Sequence, residues 1–195
     1  RVINLTKHFG GVAAVQDCTF EVPKNKITAL IGPNGAGKST VFNLVSGIVP
    51  ADKGEIWLGD RAITHLPAHQ RARFGLARTF QQVRLFRTLS VADNIALAQS
   101  AGDDGFWSGV VRWQKKSSKK SVEYFMQLVG LDAASDRDAG DLSYGQSKLL
   151  ELARALAFPH AILMLDEPVA GVNPVLRDTL KKLLRRLRDE QHETI

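Results

Sequence analysis

The stretch that most constrains this chain is Gly32-Pro33-Asn34-Gly35-Ala36-Gly37-Lys38-Ser39. It fits G-x-x-x-x-G-K-[ST]. The run Ile27-Thr28-Ala29-Leu30-Ile31 precedes it, and Val41, Phe42, Leu44 and Val45 follow at helical spacing. The run reads as a strand buried on both faces, so the motif sits in a strand–turn–helix context. Glycines there let consecutive amides point at one anion. The helix start adds the positive end of its dipole, worth only about half a charge. A polyphosphate needs more. Lys38 supplies a full positive charge, and Ser39 offers a hydroxyl to a Mg2+ ion. Gly32, Pro33, Asn34, Gly35, Ala36, Gly37, Lys38, Ser39 and the adjoining Thr40 are therefore the expected phosphate site, with a nucleotide and Mg2+ as its ligands.

A second acidic element fits the first. Ile162-Leu163-Met164-Leu165 is apolar and ends in Asp166-Glu167-Pro168. The C-terminal edge of a parallel strand is where α/β sheets bind ligands. Asp166 is placed to hold Mg2+ through water, and Glu167 to act as general base for, or polariser of, an attacking water.

The rest of the pattern supports an α/β chain. Residues 1–31 read as strands, with Cys18–Val22 alternating as a half-buried strand does, and Gly54–Leu58 reads as a short one. From about 83 to 140 the texture is helical, most irregular over 102–120. Strands alternating with helices argue a parallel sheet. The 195 residues suffice for one domain with a sizeable core. No apolar run nears the ~18 residues that span a bilayer, and the single Cys18 leaves no internal disulfide. The net charge of +6 raises nucleic acid or an acidic membrane as a partner. The excess is local, however. Lys115, Lys116, Lys119 and Lys120 form one cluster; Lys181, Lys182, Arg185, Arg186 and Arg188 form another, opposite the apolar stripe Leu176, Leu180, Leu183, Leu184 and Leu187. The second cluster is expected to be a solvated helix face.

Leu142-Ser143-Tyr144-Gly145-Gln146 opens an amphipathic helix about twenty residues before the acidic strand. Ser143 suits an N-cap, and Gly145 permits close backbone approach. With the two elements above, this stretch resembles the LSGGQ signature of ATP-binding-cassette (ABC) ATPases. The resemblance covers nearly the whole chain. It implies a P-loop NTPase fold with a RecA-like core, an N-terminal antiparallel β subdomain and an inserted α-helical subdomain. The expected division is a single ABC ATPase domain over 1–195, with 1–82 and 148–195 as nucleotide-binding core and 83–147 as helical subdomain. It further implies that each ATP lies between one subunit's phosphate loop and the partner's Ser143, Gly145 and Gln146. Phe9, in Lys7-His8-Phe9-Gly10, matches the aromatic that stacks on adenine. Gln81, in Arg78-Thr79-Phe80-Gln81, matches the glutamine that senses Mg2+ and the attacking water, and is chosen over Gln82 by that register. Ala170-Gly171-Val172-Asn173 matches a dimer-communication loop in which Asp is usual at the last position.

The Arg-Thr-Phe-Gln stretch followed by Val83-Arg84-Leu85-Phe86, the Tyr-Gly-Gln signature and an insertion around 102–120 look like the larger ATPase subunit of branched-chain amino acid importers. That resemblance implies a peripheral subunit at the cytoplasmic face of the inner membrane. Its implied partners are a second ABC ATPase subunit, transmembrane permease subunits docked near Leu85 and Phe86, and indirectly a solute-binding protein. Urea-type importers, lipopolysaccharide or lipid exporters, and soluble cassettes acting on nucleic acid or ribosomes are the alternatives, nucleic acid being the least favoured. Phe106–Trp113 in the insertion reads as a small packed helix, with a membrane or permease contact as the rival reading. The chain opens at Arg1 without Met and stops at Glu193-Thr194-Ile195, the start of a strand, so both ends are expected to be trimmed. The family's switch histidine follows that strand, and His192 precedes it. If Ile195 were the true end, hydrolysis is expected to be badly impaired.

Overall fold

The computed structural model describes residues 1–80, 83–100 and 120–195. The first half is built on an antiparallel sheet of order β2-β1-β3-β4, made by β1 (Val2–Phe9), β2 (Val12–Phe20), β3 (Lys53–Leu58) and β4 (Arg61–Ala62). β1 and β2 form a hairpin with several register shifts, and Asn4 and Asp17 take positive φ where the ladder slips. Between β2 and β3 lies α1 (Lys38–Val45), which buries Val41 and Leu44 against Val2, Leu5, Val15 and Ile56 of the sheet. The residues expected to alternate do so: Cys18, Phe20 and Val22 are half-buried, while Thr19 and Glu21 are exposed.

The end of α1 is held by α2 (Ala68–Arg73). Arg71, 2% exposed, donates to the carbonyls of Leu44, Val45, Thr64 and Leu66 at 2.6–2.9 Å. A cation satisfying the last carbonyls of a helix also meets the negative end of its dipole.

The second unit is a parallel pair, β5 (Leu76–Arg78) and β6 (Ile162–Met164), with Leu76, Ala77 and Arg78 opposite Ile162, Leu163 and Met164. The crossover between them carries α3 (Val91–Ser100), α4 (Val122–Val129) and α5 (Tyr144–Ala157), and α6 (Pro174–Gln191) follows β6. Because successive strand residues point to opposite faces, the pair serves both cores. Leu76, Ile162 and Met164 pack with the sheet and α1; Ala77 and Leu163 pack with the helices. This is why Ile162–Met164 reads as uninterrupted apolar sequence.

α6 behaves as its pattern predicts. Leu180, Leu183 and Leu187 are buried, and its charged side carries Lys181–Asp178, Arg186–Glu190 and Arg188–Asp189 ion pairs. Of the other basic cluster, Lys115, Lys116 and Lys119 lie outside the described residues, as does Phe106–Trp113.

One expectation is corrected. Ile27–Ile31 is neither strand nor buried: Ile31 is 86% exposed. Among the described residues its ladder partner is Ile195, which donates to the Lys26 carbonyl at 2.9 Å and accepts from the Thr28 amide at 2.8 Å. On its other side Thr194 accepts from the Leu163 amide at 2.9 Å. The sheet order thus continues from β6 through residues 194–195 to residues 26–28.

Candidate active site

The phosphate loop is shaped by its contact with β2. Gly37 has φ +81°, and a Cβ there would fall 2.3 Å from the Ala14 carbonyl oxygen. Only glycine permits both the left-handed backbone and the close approach. α1 begins directly after it, and its first helical bond is from the Val41 amide to the Gly37 carbonyl at 2.8 Å. The amides of Lys38, Ser39 and Thr40 precede that bond and have no intrahelical acceptor, whereas the Ala36 amide donates to the Pro33 carbonyl at 3.2 Å. Residues 32–36 and Ser39 are exposed, and Thr40 is half-buried. Lys38 folds back over the loop, its Nζ donating to the carbonyls of Gly32 at 2.9 Å and Pro33 at 2.7 Å.

Asp166 lies just past β6 and is drawn toward α1 through Arg78. The guanidinium donates to Asp166 Oδ2 at 3.0 Å, to Asn43 Oδ1 at 2.9 Å and to Ser46 Oγ at 2.7 Å. The Asp166 amide donates to Thr79 Oγ1 at 3.2 Å, and the Thr79 amide to the Met164 carbonyl at 2.9 Å. The two acid-bearing and phosphate-binding elements are therefore joined by the end of β5. Glu167 is exposed and adopts φ +48°, with its carbonyl accepting from the Ala170 amide at 3.0 Å. A non-glycine residue in this region costs about 1–3 kcal/mol, so the turn is held by its surroundings.

The 142–146 turn is a complete capping box. The Gln146 amide donates to Ser143 Oγ at 3.3 Å, and the Ser143 amide to Gln146 Oε1 at 3.0 Å. Gly145 sits against α6: a Cβ there would fall 2.7 Å from Leu176 Cδ2. Tyr144, 53% exposed, lays its ring beside Gly171, where a Cβ would meet Cε1 at 3.2 Å. Asn173, in the position where the family resemblance leads one to expect Asp, caps α6 by accepting from the Leu176 amide at 2.8 Å. An uncharged cap serves this purpose as well as a charged one. The turn, residues 170–173 and the start of α6 form one packed corner.

Phe9 ends β1, half exposed, with Lys7 Nζ 5.5 Å from its ring centroid. Gln81 and Gln82 lie outside the described residues. Leu85 packs against the helical core, whereas Phe86 is exposed, with the Arg154 guanidinium 5.1 Å from its ring.

Two residues near the site are not singled out by sequence reasoning. Arg78 reads only as part of the Arg-Thr-Phe register, and its role depends on partners distant in sequence. Glu151 is a buried acid on α5 that accepts from the Phe80 amide at 3.1 Å. Burial pushes its carboxyl up from the ordinary range, against the pull of that hydrogen bond and of Lys148 and Arg154. Its signal was an acid within the apolar face of the helix.

Comparison with known proteins follows the same lines. Residues 15–170 match the ABC transporter family. The chain is 40% identical over 200 aligned positions to the high-affinity branched-chain amino acid transport ATP-binding protein BraF of Pseudomonas aeruginosa, covering 100% of this chain and 78% of that one. It is 39% identical over 201 positions to LivG of Escherichia coli, a protein of the same description, with the same coverage of each chain. The solved ADP conformation of MJ1267, an ATP-binding cassette of an ABC transporter, superposes with a TM-score of 0.82 at 32% identity, covering 100% of this chain and 78% of that one.

Proposed function

The chain belongs to the ABC transporter family, and from that premise we propose that it powers branched-chain amino acid import as one of a pair of cassettes bound to a membrane permease. It is an ATP-binding ATPase subunit; the substrate, the metal, the partners and the residue roles are our reading. The observation that carries it is the junction of an exposed phosphate loop with the Asp166–Glu167 turn, made by Arg78.

In this reading the loop amides and Lys38 bind the ATP phosphates, with Lys38 exchanging its bonds to Gly32 and Pro33 for phosphate oxygens. Phe9 stacks on adenine. Ser39 and Gln81 would hold Mg2+ directly and Asp166 through water, Mg2+ being a cation that keeps several of its waters. An exposed hydroxyl and a carboxylate with one oxygen on Arg78 suit it. The bound ion would neutralise charge on the phosphates. Glu167 accepts the proton of the attacking water, its turn presenting the carboxylate to solvent. Ser143, Gly145 and Gln146 face the γ-phosphate held by the partner subunit, so that two ATPs close the pair.

We assign residues 1–82 and 148–195 to the nucleotide-binding core and 83–147 to a helical subdomain that meets the permease near Leu85 and Phe86. No helix among the described residues is long and apolar enough to cross a membrane. That agrees with a peripheral subunit at the cytoplasmic face of the inner membrane, linked to a solute-binding protein only through the permease. A cassette does not touch the transported solute, so the substrate rests on the kinship with BraF and LivG. The test is purification from detergent-solubilised native membranes. A co-purifying permease that moves leucine in proteoliposomes at the expense of ATP supports the proposal; a permease that moves another solute and not leucine refutes the substrate assignment.

A further inference from the structure

Arg78 occupies a position that the reaction scheme above leaves unexplained. Its side chain is 8% exposed and that of Asp166 13%. The rings of Phe42 and Phe80 flank the guanidinium, with centroids 5.6 and 5.3 Å away. One terminal nitrogen reaches back to Asn43 on α1 and Ser46 just after it, and the other forward to Asp166 after β6. Its Nε is buried with no acceptor among the described residues. The group is therefore anchored only through its two ends, as a strut between the phosphate-loop helix and the acidic strand. Strand geometry explains the placement. Arg78 shares a face of β5 with Leu76, the face turned toward α1.

This strut has two consequences for Asp166. It fixes where the carboxylate stands relative to α1, hence relative to Ser39 at the other end of that helix. It also sets a permanent positive charge against one carboxylate oxygen. A divalent cation arriving alone meets that charge with no phosphate present to offset it. A cation arriving with phosphates on the loop has their negative charge to offset the repulsion.

We propose that Arg78 is the positioning residue for Asp166 and its counter-ion in the nucleotide-free state, so that divalent metal binds at this carboxylate only together with nucleotide. The inference rests on the reading of Asp166 as a metal-holding carboxylate. Its charge component and its bridging component separate by substitution. Lysine keeps the charge but lacks the planar fork that reaches Asn43, Ser46 and Asp166 together. Methionine removes both.

The probe is Mn2+, titrated into the protein by electron paramagnetic resonance without nucleotide and then with ATP. Without nucleotide, Arg78→Met is expected to bind Mn2+ at least about tenfold more tightly than wild type, and Arg78→Lys no more tightly than wild type. In steady-state turnover both variants are expected to lose kcat by about tenfold or more with KM for ATP little changed. Unchanged or weaker Mn2+ binding in a folded Arg78→Met overturns the counter-ion role, and wild-type kcat in Arg78→Lys overturns the positioning role. Asn43→Ala guards against a variant that does not fold. It keeps the charge at Asp166 but loosens the strut, so kcat should fall while nucleotide-free Mn2+ affinity stays as in wild type; an unchanged kcat counts against the proposal. Asp166→Asn tests the underlying reading separately. Undiminished Mn2+ affinity in the presence of ATP would show that Asp166 is not the metal carboxylate, whereas a loss there combined with an unresponsive Arg78→Met defeats the counter-ion inference alone.

Discussion

The phosphate loop and the signature turn each open a helix at an exposed bend, and they are finished in opposite ways. At the loop, the amides before Val41 have no helical acceptor, and Lys38 is parked on the carbonyls of Gly32 and Pro33. At the signature, Ser143 and Gln146 satisfy one another, Gly145 is pressed on Leu176, and Tyr144 lies on Gly171. In the proposed reading the anion bound at the loop completes it. The signature is already a finished surface, suited to being presented whole to another molecule. Damage at the loop should therefore appear in the chemistry and affinity of the chain's own nucleotide, and damage at the signature in stability and in hydrolysis that needs a partner.

The largest effect is expected beside the loop, at Glu167. Glu167→Gln should cut ATP hydrolysis by roughly 100-fold or more, the usual scale of general-base loss, while trapping an ATP-bound pair detectable by size-exclusion chromatography. Hydrolysis at the wild-type rate would refute the base assignment. Lys38→Ala comes next. Loss of a charged hydrogen-bonding group of about 1.5–3 kcal/mol should weaken ATP binding roughly 10- to 100-fold by calorimetry. Unchanged affinity would sink the phosphate-loop reading.

On the signature side the comparison sharpens. Ser143→Ala removes one half of the capping box and should cost about 1 kcal/mol, lowering Tm by roughly 2–4 °C. ATP affinity of the isolated subunit should not change. If affinity falls with Tm, the two ends are not independent as described.

The smallest effect lies away from both, at the residues that lead into β6. His160, buried just before β6, contacts the Phe158 carbonyl and Glu193 Oε2 through its two ring nitrogens. Burial works against its charge, but the hydrogen bond and charge of Glu193, with the Phe158 carbonyl, raise its pKa above the ordinary 6.5. A raised folded-state pKa means that this contribution is fully present below about 6.5 and is lost as pH rises through the folded value. Thermal melts should show stability declining over that alkaline window, and Glu193→Gln should flatten the decline. An equally steep profile in Glu193→Gln would rule His160 out as its source.

Local elements were legible because local rules govern them. The cap at Ser143 follows from a Ser and a Gln three residues apart, and the buried face of α6 from the spacing of Leu180, Leu183 and Leu187. Apolar content misled at Ile27–Ile31, which has the composition of a central strand but is exposed, with Ile195 as its ladder partner among the described residues. Arg78 and Arg71 were illegible for a related reason. Their acceptors, at Asn43, Ser46 and Asp166 and at Leu44, Val45, Thr64 and Leu66, are gathered from separate parts of the chain.

The sequence by itself determined the chemistry available to this protein. A glycine-rich turn ending in Lys38-Ser39, an apolar strand ending in Asp166-Glu167 and a Ser-Tyr-Gly-Gln helix start are each written within a few residues, and their hydrogen-bonding and charge properties travel with them. Only the tertiary structure decided how those pieces meet. It set Gly37 against Ala14, laid Tyr144 on Gly171, and ran Arg78 from α1 to Asp166. Such contacts follow from strand order and helix packing, which bring together residues that no local pattern in the chain connects.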